Sequence, residues 1–275
     1  MEYLLAVVMG LVEGLTEFLP ISSTGHLILA DHLLGFGDLV EKEFAKTFEI
    51  VIQLGAILAV VAAYPRRFVG LLRFGDNRGF SGLRGIGLLL VTSIPAALLG
   101  LAARKHIHDY LFNPLTVAVA LAAGAIWILL VERYLPRTRT EGVDRLTWKE
   151  ALAVGLFQCL SLWPGMSRAS STILGGMMVG VERKTATEYS FYAAVPIMIA
   201  ATGYELLKTA AIFDAAHLGV LAVGFAVSFL AAWAAVKLFL QYVGRHTLVP
   251  FGWYRLALAA LVVWAIWQWG LTVGG

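Results

Sequence analysis

The sequence predicts an all-α integral membrane protein: a polytopic helical bundle of two inverted-topology repeats, each containing a broken, re-entrant helix pair. Three observations lead there. Of 275 residues, 59% are hydrophobic and only 14% charged, outside the range of ordinary soluble domains. Runs such as Ile86 to Ala103 and Leu218 to Val236 are apolar on every face, as lipid-embedded helices are, whereas spanning strands would alternate polar and apolar residues. Finally, polar residues gather around two prolines, in Glu13 to His26 and in Trp163 to Thr172.

The apolar segments fall at about 2–19, 22–36, 45–64, 83–103 and 114–131, then at about 148–163, 166–180, 185–206, 217–240 and 250–271. They form two sets of five in a single membrane domain over 1–275, with repeat one at about 1–132 and repeat two at about 147–275. The second set opens like the first: Gly155-Leu156-Phe157-Gln158-Cys159-Leu160 parallels Gly14-Leu15-Thr16-Glu17-Phe18-Leu19, and each leads to a proline and a hydroxyl-rich restart. Segments 22–36 and 166–180 are short against the ~20 residues a bilayer core requires, so each broken pair is expected to enter and leave by one face. Each half then makes an odd number of crossings and the second sits inverted, a pattern that puts discontinuous helices and a binding site near the midplane. Gly10 with Gly14, and Gly176 with Gly180, have the GxxxG spacing of close helix packing.

Loop charges orient the chain. Arg66, Arg67, Arg73, Arg78 and Arg84 follow Tyr64 against one acid, Asp76, whereas 37–43 carries Asp38, Glu41 and Glu43 against Lys42. By the positive-inside rule the first loop is cytoplasmic and the second outside, which puts 104–113 and 207–216 outside, 132–147 and 241–249 inside, and both termini outside. His106 and His108, in the expected outer loop, read as solvated. The first broken pair then dips in from the outer face and the second from the cytoplasm, so that their tips meet. Met1 and Glu2 offer no basic n-region, and the first apolar segment is expected to be retained. The net charge of +3 is small, and the basic residues sit in loops, which fits membrane orientation rather than nucleic-acid binding. The single Cys159 excludes an intrachain disulfide and a cysteine-based metal site. Trp253, Trp264, Trp267 and Trp269 are expected at the membrane interface.

Glu13 and Glu17, four residues apart, project from one helix face and can act on one ligand. Pro20 breaks the helix at Leu19 and Pro20, and a hydroxyl at Ser22 or Ser23 is placed to cap the restart, with His26 in its first turn. A helix N-terminus with hydroxyls and Gly25 for close approach suits an oxyanion such as phosphate. Two carboxylates would repel a bare anion, so a divalent cation between them, or a protonated carboxyl, is required. Metal plus phosphate is the leading reading. In the second tip, Arg168 is costly at membrane depth without a partner, which makes it a functional candidate, and its fork of donors supplies what a phosphate needs. Any one of Ser22, Ser23 and Thr24 can be a cap and nothing more. Glu49 and Gln53, again four apart, support the site or form an interhelical hydrogen-bond pair.

With EGLTEFLPISSTGH at 13–26, KTFEIVIQLGAILAV at 46–60, FQCLSLWPGMSR at 157–168 and VPFGWYR at 249–255, the chain resembles the bacterial undecaprenyl-diphosphate phosphatases, the bacitracin-resistance phosphatases. The resemblance covers nearly the whole chain. It implies removal of the terminal phosphate from a long polyprenyl diphosphate, which recycles the lipid carrier of cell-wall synthesis, with divalent-metal dependence (Mg²⁺ or Ca²⁺). The site would face outward from the bacterial plasma membrane. The family's Glu-x-x-x-Glu pair falls on Glu13 and Glu17, its Ser-Ser-Thr-Gly-His on Ser22 to His26 and its Pro-Gly-x-Ser-Arg on Pro164 to Arg168; Ala169 stands where the family often has serine. Glu13 and Glu17 are then expected to hold the metal, Glu17, Ser23, His26 and Arg168 to serve catalysis, and Ser22, Thr24, Gly25, Ser167 and Thr172 to bind substrate. Ser23 is the favoured nucleophile, with Ser22, His26 and a metal-bound water still open. Membrane lipid surrounds the site, no nucleic acid is involved, and a homodimer is left open. The alternative is a secondary transporter or flippase for an anionic lipid or phosphate compound, because broken inverted repeats also build transporters.

Overall fold

The computed structural model describes residues 1–40, 42–75, 78–135, 137–209 and 215–270. Of the expected features, Glu41, Asp76 and residues 210–214 of the 207–216 loop lie outside the described residues, as do the side chains of Asp38, Lys42, Glu43 and His108. The described residues contain no strand, only an isolated parallel bridge between Thr140 and Val181.

α1 (Glu2–Thr16) stops one turn before Pro20, and α2 (Ser23–Leu34) restarts after it and ends on Gly35 at φ 63°. This left-handed position suits a residue without a Cβ. α3 (Phe36–Leu39) leads to α4 (Lys42–Ala63). The basic loop after Tyr64 contains a short helix, α5 (Pro65–Leu71), because proline at a first helical position loses no hydrogen bond there. α6 (Gly82–His106) runs on into a π-helical turn, Ile107–Leu111, where a loop was expected at 104–113. Its last turn carries Arg104 and Lys105, cations that the helix dipole favours. α7 (Pro114–Arg133) closes the first half, its Asn113 side chain accepting from Thr116 N.

The second half follows a 3₁₀ turn, Val143–Arg145. A reciprocal cap between Thr147 and Glu150 opens α8 (Trp148–Gln158), which tightens into a 3₁₀ turn at Cys159–Leu162. α9 (Arg168–Met178) ends in a Schellman motif, with Val181 N on Gly176 O and Gly180 N on Met177 O, both at 3.0 Å. Gly180, at φ 92°, is therefore a helix stop and not the second glycine of a packing motif. α10 (Arg183–Thr209), α11 (Ala215–Val243) and α12 (Val249–Trp269) complete the chain.

Five helices among the described residues are long and apolar enough to cross a membrane: α4, α6, α7, α11 and α12. The protein is a multi-pass membrane protein. By contrast α2 and α9 have 12 and 11 residues, about 18 Å or less, against a hydrocarbon core of ~30 Å. Neither is long enough to cross it alone. In the packing, α1 lies along α11 and α8 along α6, while α4 meets α10 and α7 meets α12. The main buried cluster joins Phe18, in the first turn, to Ile173 and Leu174 of α9 and Phe191 of α10, with the Phe18 and Phe191 rings edge to face at 5.6 Å. Where the arginine-rich loops gather, Asp144 accepts from Arg67 and from Phe80 N. Burial pushes the Asp144 carboxyl up, but these bonds outweigh it and the net shift is downward.

Gly10 and Gly14 do mark a close approach. A Cβ on Gly14 would collide with Ser228 O and crowd Ala231 and Ala232 of α11. Gly14→Ala should therefore cost roughly 1–3 kcal/mol, the scale of overpacking, whereas Gly70→Ala, in open space, should be neutral or mildly stabilising. Thermal unfolding of both variants in detergent checks this, and equal melting would refute the tight α1–α11 seam.

Candidate active site

Two turns meet here. The one after α1 ends on Ser22 and the one after Leu162 on Ser167, both at φ 70° and, among the described residues, the only non-glycine positions with positive φ. Such backbone costs about 1–3 kcal/mol each and persists only where packing holds it. Ser23 and Arg168 are consequently the first residues of α2 and α9, and Ser22, Ser23, Thr24, Ser167 and Arg168 line one cavity of about 250 Å³. Free N–H groups and the positive dipole ends of two helices converge on it, a setting for a polyanion. Ser167 caps α9 by accepting from Ser170 N at 3.2 Å; the buried Ser22 holds the matching position in α2 with no capping bond, contrary to the expected hydroxyl cap.

Glu17, also lining the cavity, ties the two halves together. Ser23 Oγ donates to Glu17 Oε2 at 2.7 Å, and Arg168 Nη2 donates to Glu17 Oε1 at 3.3 Å. Arg168 Nη1 donates to Ser190 O at 3.2 Å, and the guanidinium lies 5.3 Å from the Phe18 ring centre. Both charges are nearly buried, with side-chain exposures of 8% for Glu17 and 11% for Arg168, so the pair is screened little by water. Arg168 Nε has no hydrogen-bond partner among the described residues.

Other expected site residues lie elsewhere. His26 does not line the cavity: Nδ1 is 2.7 Å from Ser22 O and Nε2 is 2.7 Å from Tyr254 Oη. A carbonyl can only accept, so Nδ1 donates to Ser22 O, while Nε2 pairs with the Tyr254 hydroxyl; both nitrogens are engaged. Gly25 is buried where a Cβ would meet Leu121 and Leu258, so it serves helix packing. Thr172 Oγ1 bonds Arg168 O at 2.9 Å and Ser190 Oγ at 2.6 Å, fastening α9 to α10. The cause is common to all three: each points away from the helix face that meets the cavity, which sequence spacing alone cannot show.

Sequence reasoning passed over Arg255. This residue of α12 is 0% exposed, and its guanidinium donates to five carbonyls: Leu121 and Ala120 of α7, Pro20 of the first turn, and Gly165 and Met166 of the second, at 3.0–3.2 Å. A Cβ on Gly124 would overlap the guanidinium, so α7 keeps a glycine where the arginine lies against it. The signal was available, since an arginine inside the apolar stretch 250–271 is as costly as Arg168. Gln158 and Ser161, from the segment parallel to 13–26, also line the cavity, as does Gln53.

Residues 6–261, which take in both turns and Arg255, match the family described as Bacitracin resistance protein BacA. The chain belongs to this BacA family. Similar proteins include the undecaprenyl-diphosphatase of Nitratidesulfovibrio vulgaris (strain DP4), 59% identical over 261 residues that cover 95% of this chain and 97% of that one. That of Solidesulfovibrio magneticus is 56% identical with the same coverage, and that of Lawsonia intracellularis is 45% identical over 94% of this chain and 96% of its own length.

In this BacA chain the polar groups can be tested against a divalent cation. Glu13 is 1% exposed, and its Oε1 has no hydrogen-bond partner among the described residues. Glu17 and Arg168 lie within its electrostatic reach. Among the described residues no three His, Cys, Asp or Glu side chains converge as a metal cage. A hard cation held by one or two carboxylates plus substrate phosphates needs no such cage, and a buried carboxylate oxygen without a partner suits it. The residues fit.

Arg255→Lys keeps the charge but cannot reach five carbonyls from one ammonium. It should lower stability by about 2–4 kcal/mol, the cost of leaving buried acceptors unmet, and phosphate release should fall with it. An unchanged unfolding temperature in detergent would refute the clamp.

Proposed function

We propose that this chain is an undecaprenyl-diphosphatase: a membrane phosphatase that removes the terminal phosphate of a long polyprenyl diphosphate and so regenerates the lipid carrier of cell-wall synthesis. The observation that carries the reading is Ser23 Oγ bonded to Glu17 at 2.7 Å, at the mouth of one helix and facing an arginine at the mouth of another. The names of relatives up to 59% identical support the substrate class.

Ser23 Oγ attacks the terminal phosphorus while Glu17 takes its proton, and the bond to the bridging oxygen breaks so that the lipid leaves as its monophosphate. Glu17 gives that proton to the departing lipid phosphate, then accepts a proton from the water that attacks the phosphoserine and returns it to Ser23 Oγ as the P–Oγ bond breaks and inorganic phosphate leaves. Arg168, Ser167 and the N–H groups that open α2 and α9 neutralise charge developing on the phosphoryl oxygens. Glu13, with Glu17, would hold a divalent cation, Mg²⁺ or Ca²⁺, whose charge offsets that of the diphosphate. His26 fixes the first turn of α2 through Ser22 and Tyr254. The two halves are inverted repeats with α2 and α9 as the inner arms of re-entrant hairpins, and the site opens to the outer face of the plasma membrane. The exchange of packing partners, α1 on α11 and α8 on α6, supports that arrangement.

Purified protein in detergent, where no second compartment exists to transport into, should release phosphate from a polyprenyl diphosphate. Chelator should abolish the release and Mg²⁺ or Ca²⁺ restore it. Ser23→Ala should be inactive. Arg168→Lys should lower kcat at least ~100-fold, about 2.7 kcal/mol of barrier, with a much smaller change in KM. No release under any metal would sink the phosphatase reading, and a loss in KM alone would make Arg168 a docking residue. For orientation, cysteines placed at Asp38 and Arg78 in a Cys159→Ser background should differ in intact cells, only the first reacting with an impermeant thiol reagent; the reverse pattern would overturn the outward-facing site.

A further inference from the structure

The cavity that holds the polar cluster also has an apolar wall. Ala96 of α6, Leu162 of the 3₁₀ turn, and Ile197, Met198 and Ala201 of α10 line it together with Ser23 and Arg168. Its volume of about 250 Å³ falls below the ~300–1,000 Å³ that encloses a drug-sized ligand. A long isoprenoid cannot be enclosed there, so most of its chain has to pass out. Burial along α10 gives a direction: Met198 is buried, Ile197 half-buried and Ala201 exposed.

Both walls carry a proline at this level. Pro95 precedes Ala96 inside α6 and Pro196 precedes Ile197 inside α10. Each proline lacks an N–H and crowds the carbonyl four residues before it, Val91 and Tyr192 respectively, which loosens a helix where it occurs. α6 comes from the first half of the chain and α10 from the second, so the two proline-bearing helices flank the cavity from different halves. Alanine at 96 and 201 keeps the space between them free of bulky side chains.

On the phosphatase reading above, we infer that the polyprenyl chain leaves the cavity sideways into lipid between α6 and α10, past Ala96, Ile197 and Ala201. The diphosphate stays at Ser23 and Arg168, the first isoprene units lie against Leu162, Ile197 and Met198, and the remainder stays in the bilayer. Contacts with the chain are the same in ground and transition states, so they set KM and not kcat.

Ala201→Trp tests the portal, because an exposed position accepts the larger side chain without repacking the core. Hydrolysis of a long polyprenyl diphosphate is compared with that of isopentenyl diphosphate, which has no chain to thread. The expected result is a KM for the long substrate raised about tenfold, ~1.4 kcal/mol, with its kcat and the activity on isopentenyl diphosphate unchanged. Ile199→Trp, exposed on the same helix but outside the cavity lining, should change neither substrate. Equal losses on both substrates, no loss on either, or the same effect from Ile199→Trp overturns the portal. A wild type that releases no phosphate from either diphosphate overturns the phosphatase reading instead.

Discussion

A break between two helices strips backbone carbonyls of their partners, which is costly where burial keeps water away, and this fold contains two such breaks. The Arg255 guanidinium answers both, bonding Pro20 O in one turn and Gly165 O and Met166 O in the other. A second set of bonds, to Ala120 O and Leu121 O, fixes it to α7. The relative placement of Ser23 and Arg168, each a few residues beyond a clamped carbonyl, depends on this one side chain. A buried cation is costly, and five acceptors around a planar fork are the kind of environment that offsets it.

The two turns share geometry but not chemistry. Ser22 and Ser167 hold the same positive-φ conformation, and the residue after each opens a short helix into one cavity. On one side that residue is a serine next to a carboxylate; on the other it is an arginine. Gln158 occupies the place in the second half that Glu17 has in the first, so only the first half carries acid there. Neither half alone assembles an acid, a hydroxyl and a cation around one anion. The site is completed across the seam, by an ion pair whose members are 151 residues apart.

Composition and the apolar runs were enough to place this chain in a membrane as helices, because lipid permits few other backbones and the signal is summed over many residues. The breaks at Pro20 and Pro164 were equally legible, since proline acts through its own ring and needs no neighbour. Glu17, Ser23 and Arg168 could be picked out singly by the cost of polar groups in apolar sequence. The same cost marks Arg255, an arginine inside the apolar stretch 250–271.

What spacing could not give was direction. His26 sits three residues from Ser23, yet the turn of α2 carries its ring to Tyr254 and away from the cavity. Gly25 and Thr172 likewise belong to packing seams, and Gly180 ends a helix that its spacing suggested it would extend. Which carboxylate oxygen meets which donor, and how an arginine on the last helix joins two turns 145 residues apart, depends on long-range packing. A side chain's partner across the fold is fixed by the sum of many contacts, none of them local in sequence.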